Sequence, residues 1–464
     1  MTKTLNINIT DIKKENRFNP KFFYFLLKKN KIIARNSNSF VSIGDKSYFP
    51  LVSDGIHSKV SIETYGNIRY LYTHSLKEGF VDITDTIYLD TNDFYKNSSK
   101  RIQQDWVLLS VVGSLGNVAI FTDYIKEITS LPRNIAYIET NRSKIYPEYL
   151  LSFFLSDFAK KQAFYSGGGN IQGLISLNKL KKFNVYIPEL NIQIQYQQKI
   201  KEAQALQKQF IEQINDIKNE FKNFLFKNTI ESSFKKNFEV SIKEIKKGNL
   251  YTPAFYNPYS DEILNELEKH FKTVELCSIG SFEKGDEIGS DNYYEYIEKP
   301  IDAIPFIRTS DIYNYEIDSY PSYYADKSIY NNLKQDFRTG DIIINNDGKI
   351  GYFSIITKED NNIYQSHIKR YRVNTDITYI NNYYVFLCLL LKEIGEVQFK
   401  KNTVVQSTIP TLSNRIEKIK IPLIDEKHVK YFSQKIENSF KLLEQKKIIM
   451  KNVRIEINKL LQNL

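Results

Sequence analysis

Two long stretches without Pro or Gly constrain the fold of this chain more than any other feature. The first covers residues 191–227, and its apolar residues recur in steps of three and four, as on one face of an α-helix. A continuous helix of this length would measure roughly 55 Å. Because the apolar stripe is narrow, it is typical of a helix that packs against one other helix. The stripe consists of Ala203, Leu206, Phe210, Ile214, Ile217, Phe221 and Phe224.

The second stretch covers residues 426–464 and has the same character. Each stretch follows an apolar run that ends in Ile-Pro, at Ile187-Pro188 and at Ile421-Pro422. We expect the two helices to pair with each other, with another subunit as the alternative cover for the stripe. The apolar positions of the second stripe are Val429, Phe432, Ile436, Phe440, Leu443, Met450, Val453, Ile457 and Leu460.

The sequence outside the helices also repeats. Pro20 and Pro253 lie 233 residues apart, and Tyr70 and Phe306 lie 236 residues apart. Because this offset stays nearly constant along the chain, the matches indicate an internal duplication. The matching blocks are 17–24 with 250–256, 70–75 with 306–311, 108–116 with 343–351, 149–164 with 384–399, Gln172 with Gln406, and 187–188 with 421–422.

Each copy is expected to hold a globular part followed by one long helix. Patterns typical of strands and helices are mixed within the globular parts, which predicts an α+β fold. The expected helices are 22–33, 147–164, 260–270 and 383–396, and the expected strands include 81–89, 106–112, 118–122, 135–139, 183–187, 342–344, 352–356 and 370–373. The expected domains are a first globular domain at 1–190, a long helix at 191–227, a linker at 228–248, a second globular domain at 249–425 and a second long helix at 426–464.

Composition and charge exclude several classes of protein. Hydrophobic residues make up 42% of the chain, so it is not disordered, and its longest apolar run, 383–391, is too short to span a bilayer. The two cysteines, Cys277 and Cys388, lie far apart, which suggests a reducing compartment. The net charge of +10 is compatible with a nucleic-acid partner, with the base composition of the gene as the alternative explanation. Since the first 18 residues also lack the apolar stretch of a signal peptide, we expect a cytoplasmic protein.

Two Gly-x-x-Gly segments follow apolar strands, at Gly113–Gly116 and at Gly348–Gly351. They predict tight hairpin turns that need positive φ, with phosphate binding as the alternative. The complete dinucleotide and P-loop patterns are absent from the sequence, so a nucleotide site is not predicted. The polar residues beside the turns are candidates for DNA contact: Ser114, Asn117, Asn346 and Lys349.

A second group of candidates lies at strand ends and in loops. Arg308 can contact guanine through two hydrogen bonds, and Thr309 and Ser310 can contact base edges or phosphates. The alternative is a surface turn in which Asp311 pairs with Arg308. Glutamine suits adenine edges but also caps backbone groups. The other candidates for DNA contact are Thr73, His74, Arg133, Asn134, Asn170, Gln172, His367, Gln406 and Ser407.

The sequence offers little evidence for catalysis. Asn257-Pro258-Tyr259 is similar to the start of an amino-methyltransferase motif, but its second proline is missing and no Gly-rich cofactor loop precedes it. No Ser-His-Asp order and no His/Cys metal cluster is evident. We therefore expect a chain without catalytic residues and without a metal site.

In their order and duplication, these motifs resemble the specificity subunits of type I restriction-modification systems. The resemblance covers nearly the whole chain. It implies two target-recognition domains, an antiparallel coiled coil of the two long helices and a pseudo-twofold internal repeat. The residues that carry it are Pro20-Lys21-Phe22-Phe23, Pro253-Ala254-Phe255-Tyr256, the two Gly-x-x-Gly turns, the two Ile-Pro pairs and the two helices.

The resemblance also implies the function and the partners. The chain would be a non-catalytic DNA reader in phage defence, with each domain binding one half of a bipartite target in double-stranded DNA. Methyltransferase subunits, two of them, and restriction subunits would bind the chain, and a membrane would not. S-adenosylmethionine, ATP and Mg²⁺ would be held by these partners and no cofactor by the chain itself.

Two other classes of function stay open at this stage. A coiled-coil adaptor would bind proteins through its two domains without DNA specificity. Salt-dependent DNA binding by the purified chain distinguishes it from a DNA reader. An enzyme with an unrecognised site, such as a stand-alone nuclease, would cleave DNA in the presence of metal without any partner.

Overall fold

The computed structural model describes residues 19–63, 66–84, 87–167, 173–226, 237–248, 250–376, 378–406 and 408–464. Both helices and strands occur throughout, which confirms the mixed content expected from the sequence. The helices are Pro20–Arg35 (α1), Thr91–Lys96 (α2), Pro147–Leu155 (α3), Asp157–Ser166 (α4), Leu177–Leu180 (α5), Leu190–Leu225 (α6), Ile242–Gly248 (α7), Pro258–Glu268 (α8), Leu276–Ile279 (α9), Lys327–Asn332 (α10), Asn382–Leu390 (α11), Val397–Asn402 (α12) and Glu426–Gln462 (α13).

The strands are short. Those before α6 are Phe40–Ser42 (β1), Val52–Asp54 (β2), Ile62–Glu63 (β3), Ile68–Tyr70 (β4), Leu76–Lys77 (β5), Phe80–Val81 (β6), Ile87–Leu89 (β7), Val107–Ser110 (β8), Val118–Ile120 (β9), Ile128–Ser130 (β10), Ile135–Ile138 (β11) and Asn184–Tyr186 (β12). Those after α6 are Lys272–Glu275 (β13), Gly280–Lys284 (β14), Tyr293–Glu295 (β15), Ile304–Ile307 (β16), Ile312–Tyr313 (β17), Glu316–Ile317 (β18), Tyr323–Ala325 (β19), Ile342–Asn345 (β20), Phe353–Ile355 (β21), Ile363–Tyr364 (β22), Ile368–Val373 (β23), Val404–Gln406 (β24), Ile409–Thr411 (β25) and Lys420–Leu423 (β26).

The chain divides into two compact units. The first unit comprises the described residues up to 204 together with 449–464. It contains one four-stranded sheet in the order β2-β11-β8-β9 and another in the order β10-β4-β7-β3. Two further strand pairs, β1-β12 and β5-β6, complete it. Strands β10 and β4 run parallel, whereas β11 is antiparallel to both of its neighbours.

The second unit comprises residues 205–448 and has the same plan. Its four-stranded sheets have the orders β14-β23-β20-β21 and β22-β16-β19-β15, and its smaller pairs are β13-β26 and β17-β18. The parallel pair β16–β22 occupies the place that β4–β10 has in the first unit. A further hairpin, β24–β25, belongs to the second unit. The two units therefore share one sheet topology.

A buried glutamine holds equivalent segments together in both units. In the first unit, Gln162 donates from Nε2 to the carbonyl of Asn184 and accepts from the N–H of Asn184, at 3.3 and 3.1 Å. In the second unit, Gln398 makes the same two bonds with Lys420, at 2.7 and 2.8 Å. Because β12 and β26 each have a single neighbouring strand, the amide satisfies backbone groups that a second strand would otherwise bond.

Two of the predicted helices are interrupted. The helix expected at 147–164 breaks at Ser156, whose backbone is extended and whose Oγ accepts from the N–H of Ala159 as the N-cap of α4. The helix expected at 383–396 ends at Leu390, and a π-helical turn, Lys392–Glu396, leads into α12. A Cβ added to Gly395 would lie 1.9 Å from the carbonyl oxygen of Leu389, so this tight connection requires glycine.

The two long helices are present near their expected bounds, as α6 and α13. In the second unit, Phe210 of α6 contacts Phe440 of α13, and further along α6 Phe221 contacts Phe432. The residue numbers rise along one helix as they fall along the other, so these two segments run antiparallel. The apolar stripes are buried here: Phe210, Ile214, Ile217 and Phe221 join Val429, Phe432, Ile436, Phe440 and Leu443 in one core.

The first unit uses the remaining part of each long helix. Tyr196, Ile200 and Ala203 of α6 lie in its core, and Lys199 donates to Glu456 of α13 at 2.6 Å. The residues that α13 contributes to this core are Met450, Val453, Ile457 and Leu461. The helices thus supply apolar side chains to the core of each unit.

Two buried lysines interrupt the stripe of α13 between Leu443 and Met450. In the second unit, Lys446 donates to both carboxylate oxygens of Glu316 and to Oε1 of Gln207, at 2.6–2.7 Å. Lys447 donates to Asp360 at 2.5 Å. Burial raises the pKa of Glu316, and the two lysine charges only partly oppose this rise. These pairs connect α13 with the part of the second unit that carries β18.

Candidate nucleic-acid interface

The two Gly-x-x-Gly segments form tight turns after equivalent strands, β8 and β20. Gly113 and Gly116 have φ of 77° and 81°, and Gly348 and Gly351 have φ of 75° and 86°. The sequence prediction of hairpin turns with positive φ is confirmed. Ser114 is exposed in the first turn, and Asn117 follows it with its carbonyl accepting from the N–H of Ser110.

The same backbone hydrogen bonds join each turn to two neighbouring segments. In the first unit, the N–H of Val111 donates to the carbonyl of Asn134, and the N–H of Ile175 donates to the carbonyl of Val111, both at 2.9 Å. In the second unit, Asn346 donates to His367 at 2.9 Å and accepts from Leu412 at 2.8 Å. We call each set of three segments a turn frame. Two candidates from the sequence, Asn134 and His367, therefore lie in equivalent places of the two frames. Ser114 and Asn346 lie in the turn segments of the first and the second frame.

Asp347 is the centre of a polar cluster in the second turn frame. Its carboxylate accepts from Thr411 Oγ1, from His367 Nδ1 at 2.8 Å and from Asn346 Nδ2 at 3.1 Å. Burial acts to raise the pKa of Asp347, but these donors outweigh it and hold the pKa below its usual value. Because an ionised carboxylate can only accept, the Nδ1 atom of His367 carries a proton.

The Arg308–Asp311 segment caps strand β16 as a short 3-10 turn, Thr309–Asp311. Asn345 Nδ2 donates to the carbonyl of Thr309 at 2.9 Å, which ties this turn to β20. The Asp311 carboxylate accepts from the backbone N–H of Arg308 at 2.9 Å and from Ser310 Oγ at 3.3 Å. Among the described residues, the Arg308 guanidinium forms no ion pair with Asp311, contrary to the surface-turn alternative. It lies instead over the ring of Tyr323, 4.7 Å from the centroid.

The first unit has the same turn at Thr73–Ser75. Ser75 Oγ accepts from the N–H of Tyr72 at 3.1 Å, as the Asp311 carboxylate does from Arg308. The His74 ring stacks on the Tyr72 ring, with 5.3 Å between their centroids. Thr73 and His74 are both half-buried in this turn.

The remaining candidates are basic residues and residues outside the described parts. Arg133 is exposed, and its N–H donates to the carbonyl of Ile56 at 3.0 Å. Lys349 lies over the Tyr352 ring, 5.2 Å from the centroid. Gln406 ends strand β24. The predictions for Asn170, Gln172 and Ser407 fall outside the described residues.

The structure adds polar residues that the sequence reasoning missed. In the first unit, His57 Nε2 lies 3.0 Å from Asp54 Oδ1. The residue before His57, Ile56, accepts a hydrogen bond from the backbone N–H of Arg133. An Asp-x-x-His spacing in the sequence could have indicated this pair. The Asp347–Thr411–His367 cluster had no such signal, because its members come from three separate segments.

No three His, Cys, Asp or Glu side chains in the described ranges come together as metal ligands would. None of the helices described is long and apolar enough to cross a membrane.

Comparison with known proteins places part of this geometry in a family. Residues 268–452 match the model of the type I restriction modification DNA specificity domain. The specificity domain includes the Arg308 turn, the second turn frame with Asp347, and α13 up to residue 452. Apart from residues 449–452, the first unit lies outside the matched range, and it has the same sheet topology.

Solved structures with low sequence identity also match the chain. One is the S subunit of a type I restriction-modification system from M. genitalium, at 14% identity, with 91% of this chain and 94% of that chain covered and a TM-score of 0.35. Another is the HsdS subunit from Thermoanaerobacter tengcongensis, at 13% identity, with 91% and 94% covered and a TM-score of 0.28. No curated protein matches the chain.

Proposed function

We propose that the chain is the DNA-specificity subunit of a type I restriction-modification complex and that it reads a bipartite DNA target. The observation that carries this proposal is the shared sheet topology of two units, one of which holds the specificity domain. Two versions of one recognition fold in a single chain suit a target with two different halves, as two subunits of a dimer suit a palindrome. We assign the recognition domains to residues 1–190 and 249–425.

The turn frames, together with the 3-10 turns at Thr73–Ser75 and Thr309–Asp311, are the DNA-contact surfaces of this proposal. Each frame combines an exposed or half-exposed turn with polar side chains that can reach base edges, which is what sequence-specific contact in the major groove requires. In the first domain the contacts come from Thr73, His74, Ser114, Asn117, Arg133 and Asn134. In the second they come from Arg308, Thr309, Ser310, Asn346, Lys349 and His367. Asn170, Gln172, Gln406 and Ser407 complete the predicted contacts.

The long helices serve as a spacer and a docking surface in this proposal. They pair as an antiparallel coiled coil and space the two readers, while their polar faces bind two methyltransferase subunits. Restriction subunits join the complex through these partners. The opposite order of contacts along α6 and α13 within the second unit supports the pairing. Adenine methylation and DNA cleavage, with S-adenosylmethionine, ATP and Mg²⁺, are activities of the partners, and the complex acts in the cytoplasm.

Methylation mapping tests the proposal. Methylated adenines are mapped in the genomic DNA of a host that expresses the methyltransferase subunit with and without this chain. We expect a bipartite methylated motif that depends on the chain. Absence of a chain-dependent motif, together with no salt-dependent DNA binding by the purified chain, would favour the protein-binding adaptor.

A domain exchange tests the division into two readers. Residues 249–415 are replaced by the corresponding residues of a relative, and the methylated motif is mapped again. We expect one half of the motif to change and the other half to stay. A matched exchange of residues 1–190 should change the opposite half. If either exchange alters both halves, the two-reader assignment is wrong.

A further inference from the structure

We propose that Arg308 contacts a guanine in the half-site bound by the second unit and that Tyr323 is its positioning residue. This inference rests on the proposed DNA-reading function and deepens it by naming the base. The Arg308 guanidinium lies over the Tyr323 ring, 4.7 Å from the centroid. An aromatic ring over one face of the guanidinium leaves the N–H groups at its edge available to other acceptors.

A series of aromatic contacts fixes the Tyr323 ring. Tyr323 packs edge-to-face on Tyr293, with centroids 5.0 Å apart, and Tyr293 stacks on Phe306 at 5.4 Å. Phe306 is fully buried in β16. The three aromatic residues come from the neighbouring strands β15, β19 and β16. The guanidinium plane is therefore oriented by rings that are anchored in the core of the sheet.

The backbone of Arg308 is also held in place. Its N–H donates to the Asp311 carboxylate, and the next residue, Thr309, accepts from Asn345 Nδ2 at 2.9 Å. Both ends of the side chain are thus positioned before any ligand binds. This pre-organisation favours two simultaneous hydrogen bonds from the guanidinium to one base, because a flexible side chain would lose more conformational entropy on binding.

Three other arginines of the second unit pair with carboxylates. Arg338 pairs with Asp336, Arg370 with Glu283, and Arg372 with Asp336 and Asp341. Among the described residues Arg308 has no carboxylate partner, so its donors are available to an outside acceptor. Guanine offers O6 and N7 side by side in the major groove, and arginine matches this pair with two hydrogen bonds.

The first unit lacks this device at the equivalent place. Tyr72 occupies the position of Arg308 in the 3-10 turn, and Ile87 occupies the position of Tyr323 in the sheet. The surrounding backbone is nevertheless the same. The guanine requirement should therefore belong to one half-site only.

The test uses the full chain in complex with its methyltransferase subunit and a DNA library randomised over the target. Bound DNA is sequenced for the wild type, Arg308→Lys, Tyr323→Leu and Tyr323→Phe. Arg308→Lys keeps the charge but loses the fork, and we expect the preference for guanine at one position to fall roughly 10- to 100-fold. Tyr323→Leu should relax the same position, whereas Tyr323→Phe keeps the ring face and should behave as the wild type.

A base analogue separates guanine contact from phosphate contact. Replacing the critical guanine by 7-deazaguanine removes N7 and should weaken binding by the wild type more than binding by Arg308→Lys. Thermal unfolding of each variant controls for folding. If Arg308→Lys weakens binding equally for all sequences, Arg308 does not read a base and the inference is wrong. An unchanged guanine preference also overturns it, while a wild-type complex without any sequence preference contradicts the proposed function itself.

Discussion

The turn frames of the two units differ in side chains far more than in backbone. Val111 and Asn346 accept and donate the same backbone hydrogen bonds, and Tyr72 and Arg308 begin the same 3-10 turn. Yet the first unit presents Tyr72 and Asn134 where the second presents Arg308 and His367. The comparison teaches that main-chain bonds hold the frame, so that its side chains can differ without a change of fold. The two units should nevertheless differ in how much equivalent contacts contribute to the free energy of unfolding.

The largest difference is expected from the buried lysine of the second unit. Lys446→Ala leaves the Glu316 carboxylate buried without its cation, which should cost about 3–5 kcal/mol of unfolding free energy. Arg454→Ala in the first unit should cost less, because Arg454 lies 3.4 Å from a partly exposed Glu78. Urea unfolding with hydrogen exchange resolved by segment measures both losses.

A paired variant serves as the control for this prediction. Combining Lys446→Met with Glu316→Leu removes both charges and should recover most of the loss, since two apolar groups leave no uncompensated charge. If Lys446→Ala alone is nearly neutral, the ion pair does not stabilise the second unit.

The buried glutamines Gln162 and Gln398 should contribute similar amounts to the free energy of unfolding in their two units. Gln398→Ala and Gln162→Ala each leave a backbone N–H and C=O of a strand edge without partners, at a cost of about 2 kcal/mol. The bonds of Gln398 are shorter, so its loss should be the larger one. Chemical denaturation of the two variants tests the order. If only one of the two variants loses stability, the two glutamines are equivalent in geometry but not in their contribution to the free energy of unfolding.

Asp347 should make the second unit more sensitive to acid than the first. Its lowered folded pKa means that ionisation stabilises the folded state above the ordinary Asp value of about 3.9, and that this contribution is lost as pH falls through the folded pKa. Asp347→Asn should therefore lower stability by about 1 kcal/mol at neutral pH, because the side chain is partly exposed. The difference from the wild type should vanish in acid.

The equivalent residue of the first frame, Val112, provides the comparison. Val112→Ala should lower the unfolding free energy by an amount that does not vary with pH from about 3 to about 7. Unfolding free energies measured across this range distinguish the two. A pH-independent loss for Asp347→Asn would contradict the role of the carboxylate charge.

The smallest effect is expected at Glu148, whose counterpart in the second unit is Tyr383. Burial raises the pKa of Glu148, and Arg142 and Lys201 are 3.8 and 4.0 Å away. The ionised carboxylate is thus penalised at neutral pH, and Glu148→Gln should raise stability by about 0.5 kcal/mol. The wild type should gain on the variant as pH falls through the raised pKa. Thermal unfolding at neutral and mildly acidic pH checks the sign.

Elements with a local signal were predictable from the sequence. The stripes of α6 and α13, the Gly-x-x-Gly turns and the duplication all follow from spacing within short windows. The break at Ser156 also had a signal, because Ser followed by Asp is typical of a helix start. The end of α11 at Leu390 had none, since it depends on the close approach of Gly395 to Leu389.

The candidate site was less predictable because it depends on contacts between distant segments. The sequence shows Arg308 beside Asp311 and suggests an ion pair, but Asp311 accepts from backbone and Arg308 stacks on Tyr323 instead. Likewise, Lys446 and Lys447 look like ordinary surface lysines of a long helix. Their burial depends on Glu316 and Asp360, which no local pattern connects with them.

The placement of Met450, Val453 and Ile457 has a consequence for protein synthesis. These residues complete the core of the first unit, yet the ribosome makes them only after residues 205–448. At ordinary elongation rates the nascent first unit waits roughly tens of seconds with an apolar cleft uncovered. Its sheets can form early, but the core of the first unit closes only after the ribosome has made residues 449–464. All the strands of the first unit are made early, which alone would predict little need for chaperones. Because part of its core is made last, the first unit should depend on chaperones during translation more than that.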